Sequence, residues 1–99
     1  MSGHRRISQH RDANEAEIFS ALAQAGYSIL RLHMAGGPDA VIFHPNGRTF
    51  WLIEVKARLG KLTPAQVKFR LTWRGPPIHI VRSSVEAVAL VTGRPVPQD

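Results

Sequence analysis

The sequence predicts an α/β (α+β) domain with the element order α-β-β-β-α-β-α. Three observations carry that expectation. Helix-start signals occur at Asp12 with Glu15, Thr63 with Gln66, and Ser83 with Glu86, each a capping residue followed three positions later by Glu or Gln. Asn46-Gly47 lies between two apolar runs, the strongest short-range sign of a hairpin. The second run is apolar on both of its period-2 faces, as a central strand covered on both sides must be.

Each element has its own reason. The first helix carries Ile18, Phe19 and Leu22 on one stripe and stops at Gly26, a C-terminal glycine. A strand follows over 27–33, with Tyr27, Ile29, Arg31 and His33 sharing a face. Ala40-Val41-Ile42-Phe43 runs out and Thr49-Phe50-Trp51-Leu52-Ile53 runs back, with Asn46-Gly47 expected as a two-residue turn. Pro64 takes the first helical position of the next helix, expected to reach Trp73 before Gly75-Pro76-Pro77 ends it. Ile78-His79-Ile80-Val81 is a short strand, and Ser83 opens a last helix through Val91. Of the two tryptophans, Trp51 and Trp73, both read as core rather than as stacking platforms. Val85, Val88, Ala89 and Val91 suit either core or a dimer surface.

Composition narrows the class. The 99 residues suit one domain with a modest core, divided as a basic segment over 1–12, a domain over 13–92 and a tail over 93–99. With no cysteine, disulfides and thiolate zinc sites are excluded. No apolar run approaches the roughly 20 residues that span a bilayer, so no membrane partner is expected. The N-terminus lacks an apolar signal core, so the expected location is cytoplasmic rather than secreted. A net charge of +6 favours a polyanionic partner. From Val55 to Val85 there are seven basic side chains (Lys56, Arg58, Lys61, Lys68, Arg70, Arg74, Arg82) and no acidic one.

The hairpin register points to a site. A turn at Asn46-Gly47 pairs Pro45 with Arg48 and, at the open end, sets Asp39 opposite Glu54. Opposed residues have Cβ atoms about 4.5–5.5 Å apart, where like charges destabilise. A divalent cation would relieve that repulsion, and hard cations take such oxygen ligands. A register slip of one residue would undo the pairing. Lys56 shares the face of Phe50, Leu52 and Glu54, and a plain ion pair with Glu54 or Asp39 is the simpler alternative. Glu15 lies on the inward stripe of the first helix, an unusual place for an acid, where its spacing makes it a cap partner of Asp12. Gln66 reads as the third-position residue of a capping box. The five histidines are scattered without the spacing of a helical zinc site; a role near the metal for His33 stays open.

Pro38-Asp39, a spacer and Glu54-Val55-Lys56 resemble the core of the PD-(D/E)XK nuclease superfamily. With Gly36-Gly37 ahead and Gly60-Lys61-Leu62-Thr63-Pro64-Ala65-Gln66 behind, the order resembles its VRR-NUC branch, the virus-type replication-repair nucleases, over residues 13–84. The resemblance implies a restriction-endonuclease-like core, a mixed central sheet flanked by helices. It implies catalytic roles for Asp39, Glu54, Lys56 and Gln66. Asp39, Glu54, the carbonyl of Val55 and Glu15 would hold Mg²⁺, with Mn²⁺ able to substitute. Arg31, Arg58, Lys61, Lys68, Arg70 and Arg74 would contact nucleic acid. The implied reaction is phosphodiester hydrolysis leaving 5′-phosphate and 3′-hydroxyl ends. Small domains of this kind imply a homodimer acting on branched DNA, a Holliday-type junction or a flap, in viral or phage replication and repair. Two other readings remain: a module that binds nucleic acid without cutting, and a metal-independent RNA nuclease using His and Lys. The carboxylate pair weighs against the last, which needs no metal clamp.

Overall fold

The computed structural model describes residues 14–94. The first helix, α1, is seen over residues 14–24, so Asp12 and its expected cap lie outside the described residues. Then come β1 (Ser28–Arg31), β2 (Ala40–Phe43), β3 (Phe50–Val55), α2 (Pro64–Thr72), β4 (Ile78–Val81) and α3 (Ser84–Thr92). The order is the expected one. The sheet runs β1-β2-β3-β4, antiparallel in its first two pairings and parallel between β3 and β4. A parallel pair needs a crossover, and α2 supplies it.

The hairpin register is the one expected, with Ala40 opposite Ile53 and Phe43 opposite Phe50. The turn is not. Gly47 N–H donates to the His44 carbonyl at 2.9 Å, centring the turn on Pro45 and Asn46. A two-residue turn on Asn46-Gly47 needs positive φ at Asn46, and among the described residues only glycines have it. Proline prefers the first central position of a tight turn, which shifts the turn by one residue. The connection keeps an even length, closing with His44 N–H to the Thr49 carbonyl at 2.8 Å, so the register survives. The Asn46 side chain accepts from the Arg48 and Thr49 amides at 2.7 and 3.1 Å and holds the loop.

Alternation on β3 sorts the two layers. Ile53 and Val55 face α1 and α3, packing with Ile18, Leu22, Ala40, Ile42, Val81, Ala87 and Val91 as the core. Truncating a fully buried residue there, such as Leu22→Ala, would cost roughly 2–5 kcal/mol. Leu52 and Glu54 face the other way, toward α2. β1 stops at Arg31, two residues short of the expected end, as the chain turns toward Gly36. α2 ends at Thr72, and Trp73 is not core: it is 38% exposed, stacks on Phe69 and donates its indole N–H to the Pro76 carbonyl. In α3, Ala89 and Val91 are core, Val88 packs against it, and Val85 is exposed.

Candidate active site

Asp39 arrives through a loop that only glycine permits. Gly36 has φ +74°, and a Cβ there would lie 2.7 Å from the Ala65 carbonyl oxygen. The loop therefore rests directly on the first turn of α2. Sequence pairing sets Asp39 squarely opposite Glu54; the structure modifies this. Regular pairing ends at Ala40–Ile53, and the Asp39 amide bonds the Ile53 carbonyl at 2.8 Å. In an unbroken ladder the next rung would carry no such bond. The chain puckers there, and Asp39 meets β3 through its side chain, Oδ2 accepting the Val55 N–H at 2.7 Å.

Glu54 is 1% exposed and accepts from Gln66 Nε2 at 2.8 Å. Burying a carboxylate is costly unless hydrogen bonds or charge compensate it. Gln66, also buried, is the capping residue its spacing suggests and in addition the partner of Glu54. Its Oε1 accepts the Thr63 N–H at 2.9 Å and its own N–H donates to Thr63 Oγ1 at 3.2 Å, completing the capping box. The remaining amide group turns to Glu54. This network fixes the amide orientation, since only the nitrogen end can face a carboxylate.

Lys56 follows at the end of β3. Its N–H donates to the Val81 carbonyl at 3.0 Å and its carbonyl accepts from Asn14 Nδ2 at 3.1 Å, so β4 and α1 clamp it from two sides. Lys56, Val55, Glu15, Asn14, Lys61 and Thr63 are among the residues lining a cleft of about 260 Å³. Glu15 is thus brought beside Lys56. It also lies 3.7 Å from Arg31, whose guanidinium sits over the Phe19 ring at 5.2 Å. Asp39, Glu54 and Gln66 do not line this cleft.

The other basic residues divide. Arg58 and Lys61 are exposed beside the cleft, while Lys68 and Arg74 are exposed on and after α2. Arg70 departs from expectation. It turns inward, Nη1 donating to the Ile78 carbonyl at 3.1 Å, and its buried Nη2 has no hydrogen-bond partner. It ties α2 to the start of β4. Arg82, legible only as one of seven basic side chains, and Asn14, with no signal beyond being polar, hold the segment after Glu54.

Among the described residues no three His, Asp or Glu side chains gather as a metal cage. That leaves His33 outside any such group and Glu15 without an observed place in one. Two carboxylates and a backbone carbonyl do suit Mg²⁺, which is held by one or two carboxylates, waters and substrate phosphates. The all-oxygen donor set fits that ion.

A mixed four-stranded sheet with α2 as its crossover thus carries Asp39 and Glu54 at one end. A solved structure described as a VRR_NUC domain matches it with a TM-score of 0.65 and 22% sequence identity, over 83% of this chain and 94% of that one. The chain has the VRR_NUC fold. No family model matches the sequence, and no curated protein does. No described helix is long and apolar enough to cross a membrane.

Proposed function

We propose that this chain is a metal-dependent DNA endonuclease that hydrolyses phosphodiester bonds. One observation carries the reading: buried Glu54, ordered by Gln66, beside an Asp39 carboxylate anchored on the next residue of the same strand, on a nuclease-type fold. Asp39, Glu54 and the Val55 carbonyl would hold Mg²⁺ or Mn²⁺. Such an ion polarises a phosphate oxygen and lowers the pKa of bound water. Lys56, fixed by its backbone at the cleft, supplies positive charge where the phosphoryl group gains negative charge. Gln66 orients the Glu54 carboxylate through its Nε2 hydrogen bond. Arg58 and Lys61 grip neighbouring phosphates, and Glu15 sets the position of Arg31 beside them. A domain this small reads backbone and shape more than base edges.

The finer reading is a structure-specific enzyme for branched DNA, acting as a homodimer whose two sites address paired strands in a C₂ arrangement. A panel of four-way junction, flap, nicked, duplex and single-stranded DNA, with Mg²⁺, Mn²⁺ or EDTA, tests both levels. Asp39→Asn and Lys56→Ala should each lower the rate on the order of 10²–10³-fold. Cleavage that persists in EDTA would refute the metal assignment. Tight binding without cutting under either ion would leave a nucleic-acid-binding module. Light scattering of the free and DNA-bound chain reads the dimer.

A further inference from the structure

We propose that the turn over residues 57–60 is a preformed wedge for nucleic acid, with Leu59 its tip, entering a base step whose stacking is already interrupted. Its place beside Lys56 gives it a role in cleavage only if the nuclease reading holds. Leu59 is 83% exposed, more than any other large hydrophobic residue described. An exposed leucine alone is ordinary. What distinguishes this one is how firmly its backbone is held.

The turn closes with Gly60 N–H to the Ala57 carbonyl at 2.9 Å. From the end of β4, Arg82 Nη1 donates to the Ala57 and Gly60 carbonyls at 2.8 and 2.7 Å, with the Arg58 carbonyl at 3.3 Å. Just upstream, Lys56 is clamped by Val81 and Asn14. The corner that displays Leu59 is therefore ordered by folding, and little ordering remains to oppose binding. Arg58 and Lys61 flank the tip, with no acidic residue from Lys56 to Val85. Ala57, Gly60 and Lys61 are also walls of the Lys56 cleft.

An aliphatic tip between cationic flanks matches proteins that insert leucine between base steps while their basic groups hold phosphates. Opening a continuous stack costs a few kcal/mol per step. At a nick, flap base or branch point that cost is already partly met. The wedge would therefore favour discontinuous DNA over uninterrupted duplex, with no base read directly.

The test uses the full chain and DNA carrying 2-aminopurine at a nick or within continuous duplex, first in EDTA and then with Mg²⁺ or Mn²⁺. Wild type should raise the fluorescence at the nick. Leu59→Ala should abolish that rise and cut the preference for nicked over continuous DNA roughly tenfold, about what burying a leucine is worth. Leu59→Met should retain both, and Leu71→Ala, at another exposed leucine on α2, should match wild type. Arg82→Ala should blunt the rise while leaving affinity for continuous duplex within about twofold, since phosphate contacts set that affinity. Full fluorescence and preference in Leu59→Ala would overturn the wedge. Wild type that unstacks the nick but cuts nothing keeps the wedge and removes the nuclease. Wild type that cuts all substrates alike without unstacking removes the wedge alone.

Discussion

Two helices of this domain start alike and end up doing different things. At α2, Thr63 Oγ1 accepts the Gln66 N–H at 3.2 Å; at α3, Ser83 Oγ accepts the Glu86 N–H at 3.1 Å. Both third residues reach back, Gln66 Oε1 to the Thr63 amide and Glu86 Oε1 to the Arg82 amide at 2.8 Å. There the likeness ends. A carboxylate only accepts, so Glu86 is a local cap and a favourable charge at a helix N-terminus. An amide accepts with one end and donates with the other, so Gln66 closes its cap and still donates to buried Glu54. A local motif becomes part of a site by the chemistry of a single atom.

Exchanging that atom should have the largest effect. Gln66→Glu keeps the cap acceptor but sets a second carboxylate against Glu54, at a loss of about 3 kcal/mol or more in urea unfolding at neutral pH. The deficit should narrow in acid, where one carboxyl takes up a proton and regains a donor. An undiminished urea midpoint would mean the two groups do not meet. Gln66→Ala removes both functions and, if Glu54 holds the metal as proposed, should lower Mg²⁺ affinity or the rate by about 10–100-fold. A metal titration of cleavage reads it. Glu86→Ala should cost about 1 kcal/mol in stability with cleavage unchanged, and Glu86→Gln less still. Cleavage that falls as far in Glu86→Ala as in Gln66→Ala would erase the distinction between the two starts.

Much of the fold was legible because its signals are local. Thr63, Ser83 and the run of β3 that is apolar on both faces each act within a few residues, and they place the helices and the central strand. The hairpin register was right although its turn was not: Pro45 fixes its own φ and claims the turn, yet the loop keeps its parity. Trp73 was misread because its ring turns out of the core, stacking on Phe69 at the helix end and donating to the Pro76 carbonyl while leaving one face in solvent. Nothing in its flanking residues reports that. Pairing brings Asp39 to the end of β3 near Glu54 but does not reveal the pucker that turns its side chain to the Val55 amide; the capping role of Gln66 is legible in its spacing, while its bond to Glu54 is not. Asn14 and Arg82 were not, since they act on residues 42 and 22–25 positions away, contacts that only the packed structure creates. Arg70 shows the converse: a basic residue counted toward a binding surface lies within the fold.

Because the Val55 amide proton is held by a carboxylate side chain, its solvent exchange is a clock for the site rather than for the sheet. The adjoining Lys56 amide, bonded to the Val81 carbonyl, reports the sheet itself. Asp39→Asn leaves a neutral and weaker acceptor, so deuterium uptake should quicken at Val55 while Lys56 keeps its protection. Two neighbouring amides thus separate opening of the loop that carries Asp39 from unfolding of the strand it rests on, in one experiment and without any substrate.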